Sequence, residues 1–217
     1  MFAHYGVIHF FSDIYRTLGT LYLHGCRPLP IDPSCIKKML LLPELLAQWP
    51  EPIDILIMVF GYGPYIEPDQ DKQLETDPGF IFMQQFYTRV AKHVRELFII
   101  EKEHVLFDDS PTHAILRFSN SLPQEPLNAQ LEKTYLLHRR YEAITCDRCV
   151  KFDLLDVWCH RLNDTTSFFE PQRICRSFDP QNGLTWHIDE NHISSYGSLK
   201  HGQLLRSLYD RATNKSL

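Results

Sequence analysis

An aspartate stands three residues before a histidine in the stretch Asp189-Glu190-Asn191-His192. In a tight turn that spacing lets the carboxylate hold one imidazole nitrogen while the other faces a nucleophile, the roles of orienting acid and general base in acyl transfer. In a chain with 15 aspartates and 11 histidines, about one such spacing arises by chance. Taken alone it reads as a solvated loop, and its surroundings must decide.

The six cysteines form a second set with chemical potential. Cys26 and Cys35 lie near the N-terminus, while Cys146, Cys149, Cys159 and Cys175 fall in a cysteine-rich part at about 145–192. An even, grouped set is the pattern of disulfides formed in an oxidising compartment. The expected bridges are Cys26 with Cys35, and Cys159 with one of Cys146, Cys149 or Cys175. Two glycosylation sequons, at Asn163 and Asn214, point to the same compartment. Cys146-x-x-Cys149 with Cys159 and Cys175 could instead hold zinc, but the later pair lacks the short spacing of a second knuckle. Disulfides are therefore favoured, no metal is expected, and the scattered His138, His160 and His187 read as structural.

These residues need a scaffold, and 217 residues with 44% hydrophobic and 23% charged content supply one α/β domain spanning 1–217. A net charge of −5 without a basic block argues against nucleic acid as a partner. The longest uninterrupted apolar run, Ile55 to Phe60, is strand-sized and far short of the roughly 20 residues that span a bilayer. The first eleven residues carry no signal-peptide pattern, so a targeting segment is expected upstream.

Helical spacing marks His4 to Leu18, ended by Gly19, and Ile36 to Trp49, closed by Pro50 and Pro52. Thr20 to His24 reads as a short strand. Ile53 to Phe60 reads as a strand buried on both faces and is expected at the centre of the sheet. Asp77-Pro78 predicts an N-cap and first helical residue, with Met83, Phe86, Tyr87, Val90 and Val94 following at core spacing. A strand over Leu97 to Phe107, interrupted by Glu101-Lys102-Glu103, a helix over Asn128 to Ile144 and a strand over Val150 to Val157 come next. A turn at Asp179-Pro180-Gln181-Asn182-Gly183, a run from Leu184 to Ile188 and a last helix with Leu204, Leu205 and Leu208 on one face complete the chain. Strands alternating with helices predict a parallel sheet covered on both sides.

The stretch from Asp189 to Ser198, set just before the final helix, resembles the C-terminal block of SGNH hydrolases. The segments Cys146-Asp147-Arg148-Cys149-Val150-Lys151-Phe152-Asp153-Leu154 and Gly25-Cys26-Arg27-Pro28-Leu29, with Cys159 and Cys175, resemble the SGNH tails of nematode-like membrane O-acyltransferases. The likeness covers nearly the whole chain.

That resemblance implies a three-layer α/β/α sandwich with a flavodoxin-like parallel sheet. It also implies acyl transfer to a hydroxyl through a serine ester, in which His192 takes the serine proton, Asp189 stabilises the imidazolium and Gly25 donates to the oxyanion. In such proteins the serine follows the first strand and immediately precedes the first helix, and here that helix begins almost at Met1. The first strand and the nucleophile are thus expected to be missing from this stretch, leaving it inactive, poorly stable and with a gap beside Ile53 to Phe60. Ser12 lies within a helix, and Ser194 and Ser195 read as helix caps. Where the resemblance calls for a second oxyanion donor, an asparagine, the chain reads Gly61-Tyr62-Gly63-Pro64. The domain needs no cofactor of its own. A membrane acyltransferase domain using acyl-CoA is the implied donor, the acceptor is a hydroxylated molecule with carbohydrate as one candidate, and the location is the lumenal or extracellular side of a membrane. A catalytically dead SGNH-like binding domain and a secreted carbohydrate esterase are the alternatives.

Overall fold

The computed structural model describes residues 10–13, 15, 33–61, 72–103, 135–153, 159–161, 173–175, 178–179, 181–186 and 193–213. In order they form α1 (Pro33–Ala47), β1 (Ile53–Gly61), a 3-10 turn (Leu74–Thr76), α2 (Pro78–Ala91), β2 (Val94–Glu103), α3 (Tyr135–Ala143), β3 (Cys149–Asp153), β4 (Cys159–Arg161), β5 (Arg173–Cys175) and α4 (Ser195–Thr213). The architecture is mixed α/β: β1, β2 and β3 make a parallel sheet in that order, and β4 and β5 pair separately as an antiparallel ladder.

Alternation along β2 sends its side chains into two cores. Phe98 and Ile100 meet Met39 and Leu42 of α1, Met83, Phe86, Tyr87 and Val90 of α2, and Tyr141 of α3. Leu97 and Ile99 meet Phe11, Phe152, Trp186, Ile193, and Leu205 and Tyr209 of α4. Helices therefore pack on both faces, and each face excludes water from one half of the strand side chains.

Several elements differ from the sequence-based expectation. Among the described strands β2, not β1, has a neighbour on each side, and its residues 98–100 are completely buried while most of β1 is half-buried. An apolar run reports burial of the two faces of a strand and carries no information on its edges. β2 begins at Val94 and runs through Glu101-Lys102-Glu103, because Glu103 pairs with Gly61 and Lys102 with Asp153. Backbone hydrogen bonds on both sides hold that stretch whatever its side-chain charge. In α4, Leu205 is buried and Leu204 is exposed; neighbours on a helix stand about 100° apart, so one core-facing stripe takes only one of them. The stripe is Ser198, His201, Leu205 and Tyr209.

Two expected helix features are present. Asp77 caps α2 by accepting from the Gly79 and Phe80 amides, with Pro78 as the first helical residue. Ser194 caps α4 by accepting from the Gly197 amide at 3.0 Å. The Thr20 to His24 run, most of the His4 to Leu18 helix, and residues 104–107, 128–134 and 154–157 lie outside the described residues. No described helix is long and apolar enough to cross a membrane.

Candidate functional site

The orientation of α4 sets where the Asp189-x-x-His192 segment enters the fold. Near the C-terminal end of α4, Tyr209 packs on Phe11 with ring centroids 5.8 Å apart and accepts a hydrogen bond from the Tyr15 hydroxyl at 3.1 Å. Burial, that hydrogen bond and the charges of Glu96 and Asp54 keep the Tyr15 hydroxyl protonated far above its ordinary range. Both carboxylates sit at the beginnings of β2 and β1. Toward the other end of α4, the His201 ring lies 5.7 Å from Phe152, near the end of β3. The helix thus runs antiparallel to the strands, and its N-terminus stands at their carboxyl ends. In open α/β sheets that edge is where ligands bind.

Immediately before α4, a compact turn is built on Asp179. Its amide donates to the Leu184 carbonyl at 2.9 Å, its carbonyl accepts from Gly183 at 2.8 Å, and its carboxylate accepts from the Gln181 amide at 2.8 Å. Gly183 sits at φ 74°, where a side chain would be strained. The buried Asp179 carboxylate also accepts from the Tyr196 hydroxyl, which in turn accepts from Asn182 Nδ2 at 2.9 Å. Burial raises the Asp179 pKa, but Tyr196, the Gln181 amide and the Lys200 charge more than offset it, so the carboxyl stays below its ordinary value.

The turn is bolted to α4 through Ser194. Its hydroxyl donates to the Thr185 carbonyl at 2.6 Å and its amide to the Trp186 carbonyl at 2.8 Å. Tyr196 stacks on Trp186 with centroids 5.4 Å apart. The residues flanking segment 187–192 are therefore fixed against each other, and the sequence of that segment carries Asp189 at its third position and His192 at its sixth. Asp189 and His192 themselves, with Gly25, Cys26, His187, Asn163 and Asn214, lie outside the described residues. What is established is the frame: Trp186 and Ser194, which flank segment 187–192, are hydrogen-bonded to each other just before the α4 N-terminus, which stands at the carboxyl edge of a parallel sheet. No protein-family model, curated protein or solved structure matches the chain.

Sequence reasoning marked the Asp179 turn and the Ser194 cap, but not the carboxylate–phenol pair that joins them. Asp179 and Tyr196 are 17 residues apart and belong to different elements, a separation with no local signature.

The cysteines divide as follows. Cys146 and Cys149 are joined to each other, Cα to Cα 5.4 Å, which removes two of the four thiolates that a zinc site would need. Among the described residues no group of three or more His, Cys, Asp or Glu is placed to hold a metal. Cys35 is also disulfide-bonded. In the β4–β5 ladder Cys159 is paired with Cys175; directly opposed residues of an antiparallel pair stand about 4.5–5.5 Å apart at Cα, within the disulfide range. Non-reducing peptide mapping should return three local bridges, Cys26–Cys35, Cys146–Cys149 and Cys159–Cys175. A bridge between the N-terminal and C-terminal groups contradicts this connectivity.

Proposed function

We propose that the chain is an SGNH-type domain of an O-acyltransferase, which passes an acyl group to a hydroxylated acceptor through a serine ester. The observation that carries this reading is the frame around residues 187–192. An Asp-x-x-His sequence whose flanking residues Trp186 and Ser194 are held together beside the N-terminus of the last helix, at the carboxyl edge of a parallel sheet, suits a general base that must meet a nucleophile there. Three parallel strands in sequential order with helices on both faces are compatible with the larger flavodoxin-like sheet such a domain needs.

On this reading His192 removes the proton from a serine hydroxyl, and Asp189 holds the imidazole in the productive tautomer and stabilises its cation. The oxyanion is held by backbone donors, Gly25 among them. The reading calls for a serine nucleophile in a Gly-x-Ser turn, and none of the nine glycines of the sequence opens one. The acyl group is delivered from acyl-CoA by a membrane domain, on the lumenal or extracellular side.

The test uses the full-length protein expressed in a secretory host, with an acetyl ester as probe. His192→Ala should lower turnover by about 10³-fold or more, and Asp189→Asn by a comparable factor through the wrong tautomer. Far-ultraviolet circular dichroism of each variant checks that the fold is kept. Turnover that survives His192→Ala unchanged, or no ester turnover by the parent protein at all, refutes the proposal.

A further inference from the structure

We propose that the Cys146–Cys149 bridge is a thiol–disulfide exchange site, the first bridge of this molecule to open to an external dithiol, and that opening it loosens the start of β3. The inference rests on the ring that the bridge closes and is independent of the acyl-transfer reading.

The two cysteines are separated by three positions, and the intervening Asp147 and Arg148 are both exposed. The ring therefore stands at the surface, while its cysteines pack half-buried against the core formed with α1, α2 and α3. Inside the ring Arg148 adopts φ 62°, and no other described residue except a glycine has a positive φ. The left-handed region presses Cβ against the backbone and is uncommon for a residue such as arginine, so it persists only where surrounding bonds impose it.

Those bonds come from two sides. The Cys149 amide donates to the Cys146 carbonyl at 3.2 Å, closing the turn from within. From outside, the Arg148 carbonyl accepts from the Phe98 amide at 3.0 Å and its guanidinium donates to the Val94 carbonyl at 2.7 Å. The disulfide and the attachment to β2 together hold a conformation that an open chain would leave. Reduction removes one of the two constraints and lets Arg148 relax, so conformational relief accompanies bond cleavage. Strained or exposed disulfides are the ones that exchange readily.

Loop length points the same way. The entropy that a disulfide withdraws from the unfolded chain grows with the length of the loop it closes. The ring between Cys146 and Cys149 is far smaller than the loop that a Cys159–Cys175 bridge would close, so the fold loses less stability when it opens.

The step balances as an ordinary exchange. One thiolate of an external dithiol attacks a sulfur of the bridge and forms a mixed disulfide, and the other cysteine leaves as a thiolate and takes a proton. The second thiol of the reagent then displaces the attached cysteine and departs as an oxidised ring. Two electrons and two protons pass from the dithiol to Cys146 and Cys149.

The native protein is equilibrated in buffers of reduced and oxidised dithiothreitol, quenched by alkylation, digested and mapped. Cys146 and Cys149 should become alkylated together, at a reduced-to-oxidised ratio about tenfold below that which opens any other pair. Hydrogen exchange should show protection lost at the Phe98 amide and along residues 149–153 at the same ratio. Arg148→Gly and Arg148→Ala both delete the guanidinium bond to Val94, but only glycine accepts φ 62° without strain. The glycine variant should thus need a ratio about fivefold higher than the alanine variant for half reduction. Another pair opening first in the native protein, or equal ratios for the two variants, overturns the proposal.

Discussion

Replacing Arg140 with methionine is expected to cost the fold about 3–5 kcal/mol, the penalty for leaving one member of a buried ion pair without its partner. Arg140 reaches Asp77 through two hydrogen bonds, Nε to Oδ2 at 2.5 Å and Nη2 to Oδ1 at 2.9 Å, and the side chains are only 3% and 1% exposed. Asp77 is also the N-cap of α2, so the pair ties the beginning of that helix to α3. Gly79 makes the approach possible, since a Cβ there would stand 2.5 Å from the guanidinium carbon. Without Arg140 the two capping amides still face the carboxylate, which sets the expected loss toward the lower end of the range.

The pH dependence separates a lost ion pair from a merely damaged core. Burial raises the Asp77 pKa, but the hydrogen bonds and charge of Arg140, with the Phe80 and Gly79 amides, outweigh it and hold the group below its ordinary 3.8. A folded pKa below the unfolded one gives stability that is complete above the unfolded value and lost as pH falls through the folded value. The native protein should thus lose this contribution below about pH 4. In Arg140→Met burial prevails and the shift reverses, so the variant gains relative stability as the carboxyl takes up its proton. The difference in denaturation midpoint between native and variant should shrink steadily from pH 7 to pH 4. Asp77→Asn/Arg140→Met, which keeps a capping side chain and buries no charge, should recover much of the loss. A constant difference across this range, or a double variant no better than the single one, rejects the buried ion pair as the cause.

The same pair shows where sequence reading stops. The capping role of Asp77 is written locally, because an acid followed by proline at the start of an amphipathic run has few other uses. Its partner lies 63 residues away on another helix, and Arg140 sits in the sequence beside Arg139 with nothing to mark which of the two turns inward. The strand from Ile53 was legible because, past Asp54, every residue from Ile55 to Phe60 is of a type that prefers burial. That it is flanked on one described side only depends on which strand the chain lays down next. His201 is fully buried on the stripe that also holds Leu205 and Tyr209, a place where periodicity alone would call for an apolar residue. The candidate site was legible as a spacing, Asp189 to His192. The device that closes its loop was legible only as a serine cap, because the second half of that device is a backbone carbonyl, a group every residue possesses.

That carbonyl makes Gly197→Ala the most informative single change near the site. In a helix interior, alanine in place of glycine ordinarily stabilises by about 1 kcal/mol, since it reduces the freedom of the unfolded chain. Here a Cβ on Gly197 would lie 2.3 Å from the Trp186 carbonyl oxygen and 2.9 Å from Ile193 Cγ2. Neither neighbour yields cheaply. The Trp186 oxygen accepts from the Ser194 amide at 2.8 Å, and both Trp186 and Ile193 are buried in the core shared with α4. Overpacking of this kind costs about 1–3 kcal/mol, enough to reverse the gain from helix propensity. The expected result is a lower melting temperature for Gly197→Ala, whereas Gln203→Ala, on the exposed side of the same helix, should change it little. The first turn of α4 must then move away from Trp186, and the Ser194 amide should lose its protection from hydrogen exchange while that of Leu205 is kept. Because the same displacement parts Trp186 from Ser194, the residues that flank segment 187–192, any His192-dependent turnover should fall with it, and more steeply than stability alone accounts for. A Gly197→Ala protein as stable as the parent, with the Ser194 amide still protected, would show that the helix does not rest on the Trp186 carbonyl and that the loop is closed by other means.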